Sequence, residues 1–530
     1  MSQSFLERIR TQFSKSVKRF KPWQAVYFLA VLSITIGVVA RFAHLGRPTA
    51  QVFDEVYFPV FASKLLHGVL AFDVHPPFGK MLLAVGIVWL GDNSIGWRII
   101  PALFGCGIIA LFAYAWLQLR PKQWLGALVV ITLVSTEGIL ITYSRTGLMD
   151  GVLLFAILGC YTLALRVKNL PQTLLLAILL GITTAIKWIG LGALAPVAYI
   201  LWRRGRFPYF PYLVGLAALA AVLFKLGPLH HLLDVMQSSA PWIQWVIAML
   251  MAALLVLAQV KRSDDFLAAI PLGILAYLAI IFLGEYIGGV RGFASLWKAA
   301  LDWHSQVWYY QTHLDATHPW SSSWWTWPLM LRPVLFYYQS VPGQGDPVQL
   351  ITSLGNPLVW LPATTAVVAS VWVLVRKVIQ RVSILDHPLV PVVIGYFAFL
   401  VPWIGVSRVA FNYHYLPSYG FALLALTYCV VYVWKRSPKL VITYLVVVLL
   451  SAIYFLPFST GNTVSQTWPT AALGIDQGDH IILGHMFHLD GWRDSHFWLR
   501  SDSYQVPSGV CSALGTYSKG LCRPVKLGWL

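Results

Sequence analysis

The chain is predicted to be an all-α protein that crosses a membrane many times, and three features of the sequence predict it. Of its 530 residues, 58% are hydrophobic and only 11% are charged, and the mean hydropathy is +0.69, far more apolar than a soluble globular chain. The apolar residues fall in runs long enough to cross a hydrocarbon core of about 30 Å. Between the runs the cations gather in short clusters, as they do in the cytoplasmic loops of membrane proteins. The net charge of +18 is therefore read as orienting the chain and attracting membrane lipids with anionic heads, and no nucleic acid is expected as a partner.

Residues 1–21 form a basic N-terminus, with Arg8, Arg10, Lys15, Lys18, Arg19 and Lys21 against the single acid Glu7, which places it in the cytoplasm. No cleavable signal peptide is expected, because the uncharged run from Pro22 to Ala40 is long enough to span and lacks a small-residue cleavage site. That span puts the loop 44–96 outside. Further spans are expected near 97–117, 124–143, 148–166, 172–186, 188–202, 209–227, 241–260, 264–284, 357–375, 388–406, 415–434 and 439–457, with basic clusters such as Arg120/Lys122, Arg203/Arg204/Arg206 and Lys435/Arg436/Lys439 recurring on the cytoplasmic side. The bundle should hold 11–13 transmembrane helices, since 172–186 and 188–202 are short for spans and 81–91 suits an interfacial or re-entrant helix.

The chain thus divides into an N-terminal transmembrane module (22–285), an outer loop (286–356), C-terminal helices (357–457) and an outer tail (458–530). The outer loop holds Trp297, Trp303, Trp308, Trp320, Trp324, Trp325 and Trp327, a density that suits the membrane interface and a roof over a site. Cys511 and Cys522 in the tail are candidates for a disulfide in an oxidising compartment. Cys106, Cys160 and Cys429 lie in spans and read as small buried hydrophobes.

The sequence contains no phosphate-cradling GxxxxGK[ST] loop, no GxGxxG after a strand, no CxxC and no HExxH. An enzyme working outside the cell without a nucleotide site needs a substrate already activated in the membrane. The polar residues that interrupt apolar sequence are then the candidate site. In the stretch FDEVYFPVFASKLLHGVLAFDVHPPFGK (53–80), Asp54 and Glu55 are adjacent, so on a helix their side chains diverge by about 100° and cannot both face one reacting atom. One can act as a base while the other holds a neighbour; the structural alternative is helix capping or a pair with Lys64. Asp73, His75 and Lys80 flank Pro76-Pro77, whose fixed backbone holds polar neighbours in place. His75 with Asp54 and Asp73 has no recognised metal-ligand spacing, so no metal is expected.

Arg145 and Asp150 in YSRTGLMDG lie between two spans on the outer side, where an arginine either pairs with an acid, here Asp150 or Glu137, or clamps an anionic ligand. Lys187 in AIKWIG, Arg332 in MLRPVLFYY, and Arg408 and His414 in VSRVAFNYHYLPSY interrupt apolar sequence on the same side. Each alone suits a structural or snorkelling role; together they suit an anion.

The pair Asp54-Glu55, HPPFGK (75–80), GWR (96–98), SRTGLMD (144–150), IKW (186–188), HPWSSSWWTWPLMLRPVLFYY (318–338), LGNPLVW (354–360) and NYHYLP (412–417) stand in an order and at intervals that resemble the protein O-mannosyltransferases. The resemblance covers roughly 22–457. It implies the C-type glycosyltransferase fold, with its site on the outer face of a bacterial plasma membrane, and transfer of mannose from polyprenyl-phosphate-mannose to Ser or Thr hydroxyls of exported polypeptides, with the Sec translocon as a meeting place and no cofactor. Eukaryotic members insert β-trefoil MIR domains where this chain has only 286–356, so it resembles the smaller bacterial type. Because the phosphate is already a good leaving group, no general acid is required, and one carboxylate suffices. Asp54 is then expected as base and Glu55 as its orienting or acceptor-holding neighbour. Arg145, Lys187 and Arg332 are candidate phosphate ligands, and Asp73, His75, Lys80, Arg408 and His414 line the substrate path. Direct attack implies inversion at C1. A transferase of the aminoarabinose kind, acting on a lipid, would share these features; a secondary transporter would instead carry its charges near the bilayer midplane.

Overall fold

The computed structural model describes residues 21–207, 265–340 and 347–465, apart from positions 70, 315, 317, 319 and 407. The expected spans at 209–227 and 241–260, nearly all of the basic N-terminus, and Cys511 and Cys522 lie outside the described residues.

Helix α1 (Pro22–Phe42) leads into the outer loop, which folds as a 3-10 turn (Phe53–Val56) followed by α2 (Phe58–Leu66) and α3 (Phe78–Leu90). At 13 residues, α3 is about 20 Å long, too short to cross, in keeping with the interfacial or re-entrant helix expected at 81–91. The chain continues through α4 (Ser94–Leu119), α5 (Trp124–Ser135), α6 (Gly138–Ser144), α7 (Asp150–Ala164) and α8 (Leu170–Ile186) to a 3-10 turn (Trp188–Ala193) and α9 (Leu194–Arg203). Helix α10 (Asp265–Ile287) precedes α11 (Phe293–His313) in the outer segment. The C-terminal helices are α12 (Pro357–Ile379), α13 (Leu389–Leu400), α14 (Leu416–Trp434) and α15 (Pro438–Thr460).

Each span expected within the described residues coincides with a helix or a broken pair of helices. Among the described residues, six helices are long and apolar enough to cross a membrane, and α5 with α6 makes a seventh span bent by 65°. Side chains cap the starts: Asn93 accepts from the Ile95 and Gly96 amides, Asn169 from Gln172, and Asn356 from Leu358, satisfying N–H groups that have no partner in the first turn. Helix α10 lies along α8 at a glycine contact, where a Cβ on Gly181 would come within 2.1 Å of the Gly273 carbonyl oxygen; small residues allow such close approach in a membrane.

The centre of the bundle is α14, buried continuously from Leu416 to Thr427. It packs on α5, α7, α12, α13 and α15. The α5–α6 break leaves backbone groups without intrahelical partners in an apolar interior, where each must find another. Asn356 meets that need, its Nδ2 donating to the Thr136 carbonyl at 3.5 Å, and the Glu137 side chain at the break joins the neighbours: Oε1 accepts from the Asn356 backbone amide at 2.9 Å and Oε2 from the Tyr419 hydroxyl at 2.8 Å.

The outer segment departs from an all-helical reading. Strands β1 (Leu335–Ser340) and β2 (Pro347–Thr352) pair antiparallel, with Tyr338 opposite Leu350, and β3 (Val464–Ser465), from beyond α15, adds to the other edge of β2. Gly461, at φ +67°, ends α15 in a left-handed cap that turns the chain toward this edge. Helix α11 roofs the acidic loop, as expected of the tryptophan-rich segment: Trp303 Nε1 donates to the Asp73 carbonyl at 2.9 Å.

Candidate active site

The 3-10 turn sends Asp54 and Glu55 to opposite surroundings, as their adjacency requires. Glu55 points inward and is fully buried. Arg98 grips it through Nε at 2.8 Å and Nη2 at 2.7 Å, while the Gly147 and Val52 amides donate to it at 2.6 and 2.9 Å. Both oxygens are thus occupied by protein donors, so Glu55 ties α4, the turn before α7 and its own turn together and does not hold an acceptor. GWR in the sequence contained Arg98, but neighbouring residues alone do not reveal a pair 43 residues apart.

Asp54 faces the other way and is only half-buried. Among the described residues, no donor hydrogen-bonds its carboxylate. The turn is held by aromatic packing: the Phe53 ring stacks on Phe336 of β1 at 4.5 Å and meets Tyr413 edge-on at 5.9 Å. Phe53 sits at φ +48°, a left-handed conformation that costs free energy in a bulky residue and persists where surroundings over-determine it.

Two buried ion pairs stand near Asp54. Lys187, at the end of α8, donates to both carboxylate oxygens of Asp150 at 2.9 Å. Lys80, at the start of α3, donates to Asp73 at 2.5 Å and to the His75 carbonyl at 2.8 Å. Withdrawal from water pushes Asp54 up to about 7; Lys187 opposes the shift, while the Asp150 and Asp73 carboxylates add to it. Burial, then the positive charges of Lys187, Lys80 and Arg408, push the His75 imidazole well below its ordinary range, so it is neutral at physiological pH. Tyr310 of α11 interacts with Arg408, Asp73 and Asp54. The fold therefore gathers Asp54, Asp73, His75, Lys80, Lys187 and Arg408 from the expected set, and adds Asp150 and Tyr310.

Other expected residues are placed differently. Arg145 pairs with neither Asp150 nor Glu137. Its guanidinium donates to the carbonyls of Ala40 at 2.5 Å, Ala43 at 2.8 Å, and His44 and Thr460 at 3.3 Å, capping the C-terminal ends of α1 and α15, whose last carbonyls lack intrahelical donors. That role, and not a phosphate clamp, is what the geometry shows. Arg332, at φ +56°, donates to the Ser321 carbonyl at 3.3 Å and shares with Arg408 a crevice of about 540 Å³ lined by Ser321, Ser322, Trp324 and Trp403. His414 bonds the Phe411 backbone through Nδ1, and its ring lies 4.2 Å from Trp403 and 4.4 Å from Tyr413, so it packs the wall. Under α11, a cavity of about 340 Å³ is lined by Asp73, His75, Lys80, Glu285, Asp302 and Trp303. No three His, Cys, Asp or Glu side chains among the described residues form a metal-ligating group.

The description "Dolichyl-phosphate-mannose-protein mannosyltransferase" matches residues 31–97 and 88–204, and "C-terminal four TMM region of protein-O-mannosyltransferase" matches residues 296–472. A polyprenol-phosphate-mannose–protein mannosyltransferase of Mycolicibacterium smegmatis is 27% identical over 505 residues, covering 83% of this chain and 90% of its own. The protein of that name from Mycobacterium tuberculosis is 26% identical over 513 residues, covering 85% and 91%. The S. cerevisiae protein O-mannosyltransferase Pmt1-Pmt2 complex, solved with its sugar donor, superposes with a TM-score of 0.62 over 86% of this chain and 92% of that one, at 14% identity. The fold is that of the C-type glycosyltransferases, membrane enzymes built as helical bundles. Within that class, the chain belongs to the protein O-mannosyltransferase family. The match extends to residue 472, so the first part of the tail belongs to the family region as well.

Proposed function

We propose that this chain transfers mannose from a polyprenyl-phosphate-mannose donor to Ser or Thr hydroxyls of polypeptides on the outer face of a bacterial plasma membrane, with Asp54 as general base. The observation that carries this reading is the Asp54 carboxylate, open on one side and hydrogen-bonded to nothing among the described residues, beside two carboxylates already neutralised by Lys187 and Lys80. The acceptor oxygen attacks C1 of the sugar from the face opposite the phosphate. Its proton passes to Asp54, the C1–O bond to phosphate breaks, and polyprenyl phosphate departs as the anion, so the anomeric centre inverts.

Lys187 has a third N–H beyond the two bonded to Asp150. It and Arg408 are the cations this mechanism uses to stabilise charge developing on the leaving phosphate, which in a site with little water lowers the barrier by several kcal/mol. The cavity beneath α11, about 340 Å³, lies in the range of small-molecule sites, about 300–1,000 Å³, and with Asp73, His75 and Lys80 in its wall it serves as part of the substrate path. The polypeptide acceptor is expected to reach the site from outside, where exported chains emerge at the Sec translocon.

The test is incubation of the purified protein with polyprenyl-phosphate-mannose and a Ser/Thr-rich peptide, with and without EDTA. Mannosylated peptide of inverted anomeric configuration, undiminished by EDTA, is expected. Labelled lipid in place of labelled peptide would redirect the reading to a lipid acceptor, and a loss restored by Mn²⁺ would mean that the acidic loop holds a metal.

A further inference from the structure

The end of the bundle opposite Asp54 carries a cavity that the transfer reaction does not use. Helix α4 begins beside the acidic loop, where Arg98 binds Glu55, and its 26 residues carry the chain about 39 Å before Arg120. There the far ends of α4, α7 and α9 and the turn before α13 enclose about 510 Å³, lined by Arg120, Gln123, Arg203, Arg204, Asp386 and His387, among others.

The positive groups there are incompletely matched. Arg203 pairs with Asp386 at 2.7 Å, and Arg204 donates to the Val167 carbonyl at 3.0 Å and to the Leu165 carbonyl. Arg120 lies over the Tyr428 ring at 5.2 Å, yet its Nε is buried without a hydrogen-bond partner, as is Gln123 Oε1. A buried donor left unpaired costs about 1–3 kcal/mol, more when charged, and native structures rarely leave one unpaired. The local field is positive as well: burial, then Lys377 and Arg120, push His387 below its ordinary value. Asp386 is the single carboxylate of the lining, against three arginines.

We infer that this cavity is a binding site for a phosphate ester that carries a neighbouring hydroxyl, with Arg120 and Arg204 meeting the phosphate and Gln123 Oε1 accepting from the hydroxyl. A guanidinium fork suits phosphate geometry, and basic pockets between transmembrane helices on the cytoplasmic side recognise anionic lipid heads. The same chemistry is offered by the glycerol headgroup of phosphatidylglycerol and by soluble glycerol phosphate. The site binds independently of mannosyl transfer at the other end of the bundle.

The experiment uses the full-length protein in nanodiscs of phosphatidylcholine with increasing phosphatidylglycerol, and in detergent with added glycerol 3-phosphate or inorganic phosphate. Thermal stability and lipid retention by native mass spectrometry are read for the wild type, Arg120→Gln and Gln123→Leu. Gln123 lies in the turn between α4 and α5 and its side chain caps neither helix, so its replacement leaves the helices intact should Arg120→Gln fail to fold. Phosphatidylglycerol is expected to raise the melting temperature and to be retained about fivefold more weakly by Arg120→Gln, the effect of one cation near a lipid surface. A shift with the soluble phosphates alone would support the same site with a soluble occupant. Equal responses of the wild type and both variants to every addition would overturn the inference.

Discussion

Asp54 and Glu55 are one bond apart in the chain and opposite in electrostatic condition. Asp54 titrates near 7 because burial disfavours its charged form, so its ionised fraction, and with it the rate of transfer, should rise through roughly pH 6–8 and then level off. The sign for stability is the reverse. A carboxylate whose folded pKa is raised contributes stability that is present at low pH and is lost as pH climbs from the ordinary carboxylate range through about 7. Asp54→Asn should therefore cut transfer by about 10²–10⁴-fold while melting above the wild type at pH 8, with the difference shrinking toward pH 4. An unchanged rate would move the base elsewhere, and a melting point lowered at every pH would make Asp54 structural. Glu55→Gln leaves Arg98 a buried cation with no counter-charge and should cost about 3–5 kcal/mol of stability, read as a fall in melting temperature. For Arg145, four carbonyl acceptors predict that Arg145→Lys lowers the melting temperature while kcat per folded molecule stays within about twofold of the wild type; a selective tenfold fall in kcat, about 1.4 kcal/mol of barrier, would return Arg145 to the phosphate. The density of charge in 53–80 marked Asp54 as a candidate in the sequence. The partners of Lys187 and Arg145 were not legible, because residues 37 or more apart in the chain meet only through the crossing of helices.

At the scale of elements, hydropathy runs located the described helices well, since each backbone in a bilayer must satisfy its own hydrogen bonds and a long apolar run can do so only as a helix. The bend at Glu137 and the sheet were not legible. A single acid inside an apolar run does not announce that it will meet Asn356 and Tyr419 from helices far along the chain, and strands as short as LFYYQS and PVQLIT inside a tryptophan-rich loop read equally well as interfacial sequence. The sheet nonetheless positions the site. Phe336 of β1 is fully buried, stacks on Phe53 and meets Tyr143 edge-on at 5.5 Å. Removing that ring frees Phe53 to leave its left-handed conformation and carries Asp54 with it. Phe336→Ala is expected to lower kcat at least tenfold with KM little changed, because a base displaced by about 1 Å loses orientation and not substrate affinity. A rise in KM with kcat little changed would place β1 in substrate binding instead.

The whole molecule is polarised along the helix axes, with the acidic site and its aromatic roof at one end and basic loops at the other. Arg98 lies a turn inside the start of α4 and Arg120 just past its end, about 33 Å apart along the axis. Lys122, Arg166, Arg203, Arg204, Arg376 and Lys377 all lie at the end away from Asp54, within a turn or two of helix termini. Loops rich in lysine and arginine are retained on the cytoplasmic side during insertion, so the bundle should sit with Asp54 outside. Single cysteines placed in a background with Cys106, Cys160, Cys429, Cys511 and Cys522 replaced by serine test this directly. Thr49 and Ser383 are both exposed, the first in the loop before Asp54 and the second in the loop between α12 and α13. In right-side-out cells a membrane-impermeant maleimide should label Thr49→Cys at once and Ser383→Cys only after permeabilisation. The opposite pattern would turn the protein over and put its site in the cytoplasm, where no exported polypeptide could reach it. Labelling of both positions in intact cells would mean that one expected crossing between them does not traverse the membrane, and the short helices α8 and α9, at 17 and 10 residues, would be the first to re-examine by scanning cysteines along their ends.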